Sequence, residues 1–173
     1  MIRKATKNDT AAIAILYDKV IDYQNANGSY MSWIKGVYPT EQTAIDACAL
    51  DTLYVFEEGG NIKGSVILDC NQPTEYENIS WKTKSVSNQA LVIHTLCVDP
   101  EYMGMGIASE MLTYSKVLAK SLNCASIRLA TNSKNVIAIS LYEKNEFITI
   151  GYDKVLLDGK INCPKQCFME YIL

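Results

Sequence analysis

The sequence predicts a mixed α/β fold, a mixed sheet with helices covering its faces. Three observations carry that prediction. The second half alternates strand-like and helix-like runs: "ALVIHTLCV", "IASEMLTYSKVLAKSLNC", "SIRLAT", "NVIAISLYEKN", "EFITIGY". The first half holds two strand-like runs around Glu58-Gly59-Gly60-Asn61, a hairpin signal and hence an antiparallel pair. The 173 residues are 49% hydrophobic and 20% charged, which suits one domain, 1–173, with a sizeable core.

The elements follow in chain order. "MIRKA" reads as a short first strand. "TKNDTAAIAILYDKVIDYQNAN" spaces Ile13, Leu16 and Val20 as a helix would, with Thr6 or Asn8 as cap and Asn27-Gly28 as stop. "GSYMSWIKGVYP" is aromatic and broken by glycine, so it reads as a loop. Thr40 can cap a second helix, "EQTAIDACAL". The hairpin comes next, then a polar excursion, "NQPTEYENISWKTKSVSNQ". "ALVIHTLCV" has few polar residues and is expected to be central and buried. In the long helix after it, positions 108, 112, 115, 119 and 122 make one small or apolar face. "SIRLAT", a shorter helix, "EFITIGY" and a closing strand "QCFMEYIL" complete the order β-α-α-β-β-loop-β-α-β-α-β-β. An exposed edge strand at the C-terminus would suit a homodimer.

The bulk numbers exclude some classes. A net charge of −3 and a pI near 5.2 give no support for nucleic-acid binding. No apolar run approaches the roughly 20 residues of a membrane span, and "MIRKATKNDT" lacks a signal peptide's apolar core. The expected location is the cytoplasm, with no membrane partner. Six cysteines without an export signal read as free thiols. Cys163 and Cys167 in "CPKQC" form one pair with no nearby histidine, so no metal site is expected.

The stretch "TLCVDPEYMGMGIASEML" (95–112) runs from a strand through Gly104 and Gly106 into a helix. A helix start leaves backbone N–H groups unpaired and carries partial positive charge. Glycines keep Cβ atoms out of a ligand's way. Two readings fit: an anion cradle, or a plain β–α connection. It is not a P-loop, for it lacks Gly-x-x-x-x-Gly-Lys-Ser/Thr. It is not a Rossmann turn, which would want glycine near Ser109.

Two separated motifs now point one way. "LCVDPEYMGMGIASEML" looks like a central strand, Val-x-Pro, Gln/Arg-x-x-Gly-x-Gly/Ala and a long helix. "NVIAISLYEKNEF" looks like Asn-x-x-Ala-x-x-Leu-Tyr-x-x-x-Gly-Phe. Together, in this order, they resemble the GNAT superfamily of acyl-CoA-dependent N-acyltransferases. "GNIKGSVIL" and "CFMEYIL" stand where that family has its third and last strands. The resemblance covers the whole chain in order and is specific over about 91–152. It implies a mixed, mostly antiparallel sheet of about six or seven strands flanked by about four helices. It implies acetyl-CoA as cosubstrate, with the pyrophosphate at the glycine turn and Met103, Gly104, Met105, Gly106, Ile107, Ala108 and Ser109 as the binding segment. Leu96, Cys97 and Val98 would pair with the pantetheine arm. Two departures stand out. Met103 replaces the family's Gln/Arg and cannot donate to phosphate. Glu146 replaces a helix-ending glycine, and Asn145 is expected to take over the left-handed turn.

The implied reaction is direct acyl transfer from a thioester to a primary amine of a small molecule or peptide N-terminus. It needs a base for the amine, an acid for the leaving thiolate and an N–H donor for the oxyanion. The resemblance makes Tyr142 the acid and puts Asn135, seven residues earlier, near the pantetheine; a helix cap is the other reading of Asn135. His94 is the only histidine and suits a base at neutral pH. Its other reading is a histidine bonded to backbone. Strand alternation puts His94, Leu96 and Val98 on one face unless a bulge intervenes. Glu75 and Glu77 are alternative bases, and a water-mediated route is a further one. The oxyanion donor is expected to be a backbone N–H of the Leu96–Val98 segment, Val98 or Cys97, and the Cys97 side chain reads as packing, not as a nucleophile. Tyr30, Trp33 and Trp81 are the aromatic candidates for the acceptor pocket, beside Tyr23, Tyr38 and Tyr76. A CoA-binding sensor without turnover is the alternative function.

Overall fold

The structure, a computed structural model, describes residues 1–28, 32–84, 89–153, 156–157, 161–162 and 165–173. Tyr30 and Cys163 lie outside the described residues. The strands are β1 (Ile2–Lys4), β2 (Leu53–Glu58), β3 (Asn61–Asp69), β4 (Ala90–Val98), β5 (Ser126–Asn132), β6 (Ile148–Asp153), β7 (Leu156–Leu157), β8 (Ile161–Asn162) and β9 (Gln166–Ile172). The helices are α1 (Thr10–Ala26), α2 (Glu41–Ala49), α3 (Ile107–Ser121) and α4 (Val136–Lys144). Seven strands form one open sheet in the order β1-β2-β3-β4-β5-β9-β6. The registers of β1–β2, β2–β3, β5–β9 and β6–β9 are antiparallel, and that of β4–β5 is parallel.

Two compact units divide the packing. The first comprises residues up to 28, Trp33–Leu68 and His94–Tyr114. Here α1 buries Ile13, Leu16, Tyr17, Val20 and Ile21, the i, i+3, i+4, i+7, i+8 stripe of an amphipathic helix. The four aliphatic side chains of this stripe contribute about 1.5–3 kcal/mol each on burial. Neither Thr6 nor Asn8 caps α1. A 3₁₀ turn, Lys7–Asp9, comes first, and the Asp9 carboxylate accepts from the Thr6 N–H (2.7 Å) and hydroxyl (2.8 Å). Thr40 does cap α2, accepting from the Thr43 N–H. The Gly59-Gly60 turn joins β2 to β3 as its residues predict, both glycines having positive φ.

The second unit holds Asp69–Ile93 and Ser115–Leu173. Its frame is β5 against β9, with Arg128 opposite Glu170 in register. Both are buried, and the Arg128 Nε donates to the Glu170 carboxylate at 3.2 Å. Two buried charges need further partners. Residues of the excursion supply them: Gln72 and Thr83 accept from Arg128, Lys82 N–H donates to Glu170, and Trp81 stacks 4.6 Å from the guanidinium. Thus a cross-strand ion pair ties the polar excursion to one sheet face.

Further expectations are corrected. The C-terminal strand is not an edge: β9 lies between β5 and β6, pairing with both, and β6 is the edge. A two-stranded pair, β7–β8, stands between β6 and β9. On α3 the buried face is Ile107, Met111, Leu112, Ser115 and Ala119, while Leu122 lies past the helix end and is exposed. Finally, Asn145 does not take the left-handed turn after α4. Its φ is −98°, and Glu146 has φ +69°. The Glu146 N–H donates to Glu143 O and the Phe147 N–H to Tyr142 O, the two bonds of a Schellman ending.

Candidate active site

In the first unit, β4 leads straight to the glycine turn. Asp99 ends the strand and starts a 3₁₀ turn, Pro100–Tyr102, by accepting from the Glu101 N–H at 3.0 Å. It is buried and holds Lys19 Nζ at 2.8 Å, which anchors the turn to α1. Met103 and Met105 flank Gly104 with their side chains exposed. Gly104 has φ +78° and Gly106 φ +84°, so both positions require what glycine alone adopts freely. A Cβ built on either would meet nothing within 4 Å. The space in front of the turn is therefore open.

Then α3 begins. Its first ladder bond is donated by Glu110 to Gly106 O, so the amides of Gly106, Ile107 and Ala108 come before the ladder. Ile107 is buried and fixes the helix start. Gly64 of β3 makes room for it: a Cβ there would lie 3.1 Å from Cys97 O, 3.1 Å from Met111 Sδ and 3.3 Å from Ile107 Cγ2. Open space, left-handed glycines and helix-start amides fit a phosphate group. The segment carries no cationic side chain, and Met103 adds none.

His94, Leu96 and Val98 are half-buried on β4, alternating with buried Thr95 and Cys97. The strand is not regular there, because Thr95 has φ +48°. Burial pushes the Cys97 thiol up to about 11, and its sulfur lies 3.3 Å from the Ser65 hydroxyl. A thiol held neutral is a poor nucleophile. Trp33 meets Tyr17 edge-on at 6.4 Å between centroids. Tyr23 and Tyr38 are partly exposed.

In the second unit, Tyr142 is buried on α4 and packs edge-on against Phe147 at 5.7 Å. Burial raises its phenol well above the ordinary range, so it keeps its proton at any physiological pH. Asn135 caps α4, its Oδ1 accepting from the Ala138 N–H at 3.1 Å. Trp81 packs on Tyr76 and Phe168 and donates from Nε1 to Tyr76 O at 2.9 Å. Glu75 accepts from the Thr74 hydroxyl, and Glu77 is exposed. Among the described residues, no three His, Cys, Asp or Glu side chains are grouped to hold a metal.

Sequence reasoning passed over Thr95 and Ser65. Neither type signals anything within a strand, and the positive φ of Thr95 leaves no mark on the sequence.

The family pattern of Acetyltransferase (GNAT) matches residues 18–147. A GNAT-family acetyltransferase from Streptococcus agalactiae 2603 is 20% identical, with a TM-score of 0.81 over 100% of this chain and 95% of its own. A ribosomal-protein-alanine N-acetyltransferase from Brucella melitensis is 18% identical, with a TM-score of 0.73 over 100% and 99%. A Salmonella typhimurium protein solved with its cofactor acetyl-CoA is 17% identical, with a TM-score of 0.73 over 99% and 92%. No curated protein sequence matches the chain.

Proposed function

Since the chain belongs to the acetyltransferase (GNAT) family, we propose that it moves an acetyl group from acetyl-CoA directly to a primary amine of a small molecule or peptide N-terminus. The observation that carries this is the turn at Gly104 and Gly106: both glycines left-handed, open space before them, and helix-start amides behind.

Acetyl-CoA supplies the acetyl group as a thioester. The amides of Gly104, Gly106, Ile107 and Ala108 hold its pyrophosphate, with Met103, Met105 and Ser109 completing the segment. The β4 backbone at Leu96, Cys97 and Val98 takes the pantetheine arm and offers an N–H to the developing oxyanion. Among the described residues its register with β5 runs over Ala90–Val92, and the arm would lie on that side of the strand beyond Val92. Tyr142 gives its proton to the leaving sulfur, and Asn135 starts the helix that carries it. His94 takes the proton of the amine. The raised thiol of Cys97 supports direct transfer over a thioester on the enzyme. Trp33 and Trp81 belong to the segments that face the acceptor; Tyr30, the third aromatic candidate, lies outside the described residues.

The test is thermal unfolding with acetyl-CoA, CoA and ATP, followed by release of free thiol on an amine panel. At a hundred times its dissociation constant a ligand adds about 2.7 kcal/mol. Acetyl-CoA and CoA should raise the melting temperature and ATP should not. No shift at millimolar acetyl-CoA would sink the binding mode. A shift without thiol release on any amine would favour a sensor over an enzyme.

A further inference from the structure

Thr95 is a β-branched residue at φ +48°, in the strand that carries the proposed base and oxyanion donors. A β-branched side chain rarely adopts that backbone, and such a conformation persists only where its surroundings hold it. The side chain of Thr95 is buried, and its Oγ1 shares a hydrogen bond of 2.8 Å with the Tyr38 hydroxyl.

Tyr38 is itself braced. The Tyr38 N–H donates to Ile34 O at 3.0 Å, and the Ile34 N–H donates to Tyr38 O at 2.9 Å, closing a tight turn. Lys35 inside that turn reaches Asp22 at 2.6 Å and Asp18 at 3.9 Å on α1. Trp33, at its start, packs against Tyr17 of the same helix. The turn thus delivers a phenol to Thr95 from a fixed base, while the ring stays partly exposed.

We propose that Tyr38 is a positioning residue: its hydroxyl clamps Thr95 in the left-handed conformation and so sets the directions of the His94 side chain and the Leu96 N–H. This rests on the acetyltransferase reading above. It links the loop between α1 and α2 to the reacting strand, so an acceptor that moves Tyr38 also alters the strand's geometry.

The experiment compares wild type, Tyr38→Phe, Thr95→Gly and the double variant. Amide hydrogen exchange across residues 94–98 is measured without ligand, acetyl-CoA affinity by calorimetry, and kcat with the best amine. Tyr38→Phe should speed exchange at 94–98 at least about tenfold and lower kcat by about ten- to a hundredfold. Acetyl-CoA affinity should stay within about threefold. Glycine holds a positive φ without help, so Thr95→Gly in the Tyr38→Phe background should restore kcat to within about threefold of wild type. Unchanged exchange and kcat in Tyr38→Phe would overturn the clamp. So would a double variant no better than Tyr38→Phe, which would mean that the hydroxyl itself is needed. Were wild type to turn over no amine, the acetyltransferase reading would fall, and ligand-free exchange would still decide whether Tyr38 clamps Thr95.

Discussion

Glu146 occupies a backbone position that favours glycine. Its left-handed φ of +69° costs a non-glycine residue about 1 kcal/mol. Its carboxylate meets Lys116 Nζ at 2.8 Å, but that lysine also lies over the Tyr171 ring at 4.0 Å and keeps this partner if the carboxylate goes. Glu146→Gly should therefore stabilise the fold by about 1 kcal/mol, a rise of about 2–4 °C in Tm for a chain of this size. Asn145→Gly should do the opposite, because Asn145 has negative φ and its Nδ2 donates to Leu141 O at 2.8 Å. Thermal scans of both variants check the pair; a destabilised Glu146→Gly would show that the ion pair outweighs the backbone term. Tyr142→Phe tests the proposed acid with the ring packing on Phe147 left in place. Its kcat should fall about a hundredfold while the dissociation constant of acetyl-CoA holds within about threefold. An unchanged kcat would remove Tyr142 from the chemistry.

Among the elements, the start of α3 matters most, and Gly64 shows why. The β3 strand is bare at that position, so Ile107 and Met111 can close on it beside Cys97 O. Gly64→Ala would push a methyl group against a backbone carbonyl at 3.1 Å, a neighbour that cannot rotate away. The expected cost is about 1–3 kcal/mol of stability. Acetyl-CoA affinity should fall with it, because the displaced element carries the amides of the cradle. Denaturant melts and calorimetry on one preparation would check both, and full affinity would show that α3 does not depend on Gly64. Much of this element level was legible from local residues. Gly59-Gly60 marked the hairpin, Thr40 marked α2, and the two glycines marked the turn before α3. What escaped were facts of distant pairing. Nothing in "QCFMEYIL" says that it inserts between β5 and β6. Nothing in "SIRLAT" says that its arginine meets Glu170, 42 residues on. Thr95 escaped for the opposite reason, since a threonine in a strand is ordinary and only its φ is not.

At the scale of the whole chain, buried weak acids set an alkaline limit in both units. Tyr17 and Cys97 belong to the first; Tyr76, Tyr142 and Cys124 belong to the second. Burial raises the three phenols above the usual tyrosine range and both thiols to about 11. Each group is neutral when protonated, and the folded state holds its proton more tightly than the unfolded chain does. Their stabilising effect is thus fully present below the unfolded values, about 8.5 for Cys and 10 for Tyr. It is lost as pH rises through those values toward the folded ones. Stability should therefore begin to fall near pH 9 and fall steeply beyond pH 10. We propose that the chain responds as one domain, because β4 runs unbroken from residues of the second unit into residues of the first. The two tryptophans give a separate reporter in each: Trp33 in the first, Trp81 in the second. Alkaline and urea titrations of Trp33→Phe and Trp81→Phe, followed by fluorescence, should show coincident midpoints once each is corrected for its own stability change. Midpoints that separate would mean that the units unfold independently, and the one-domain reading would fall.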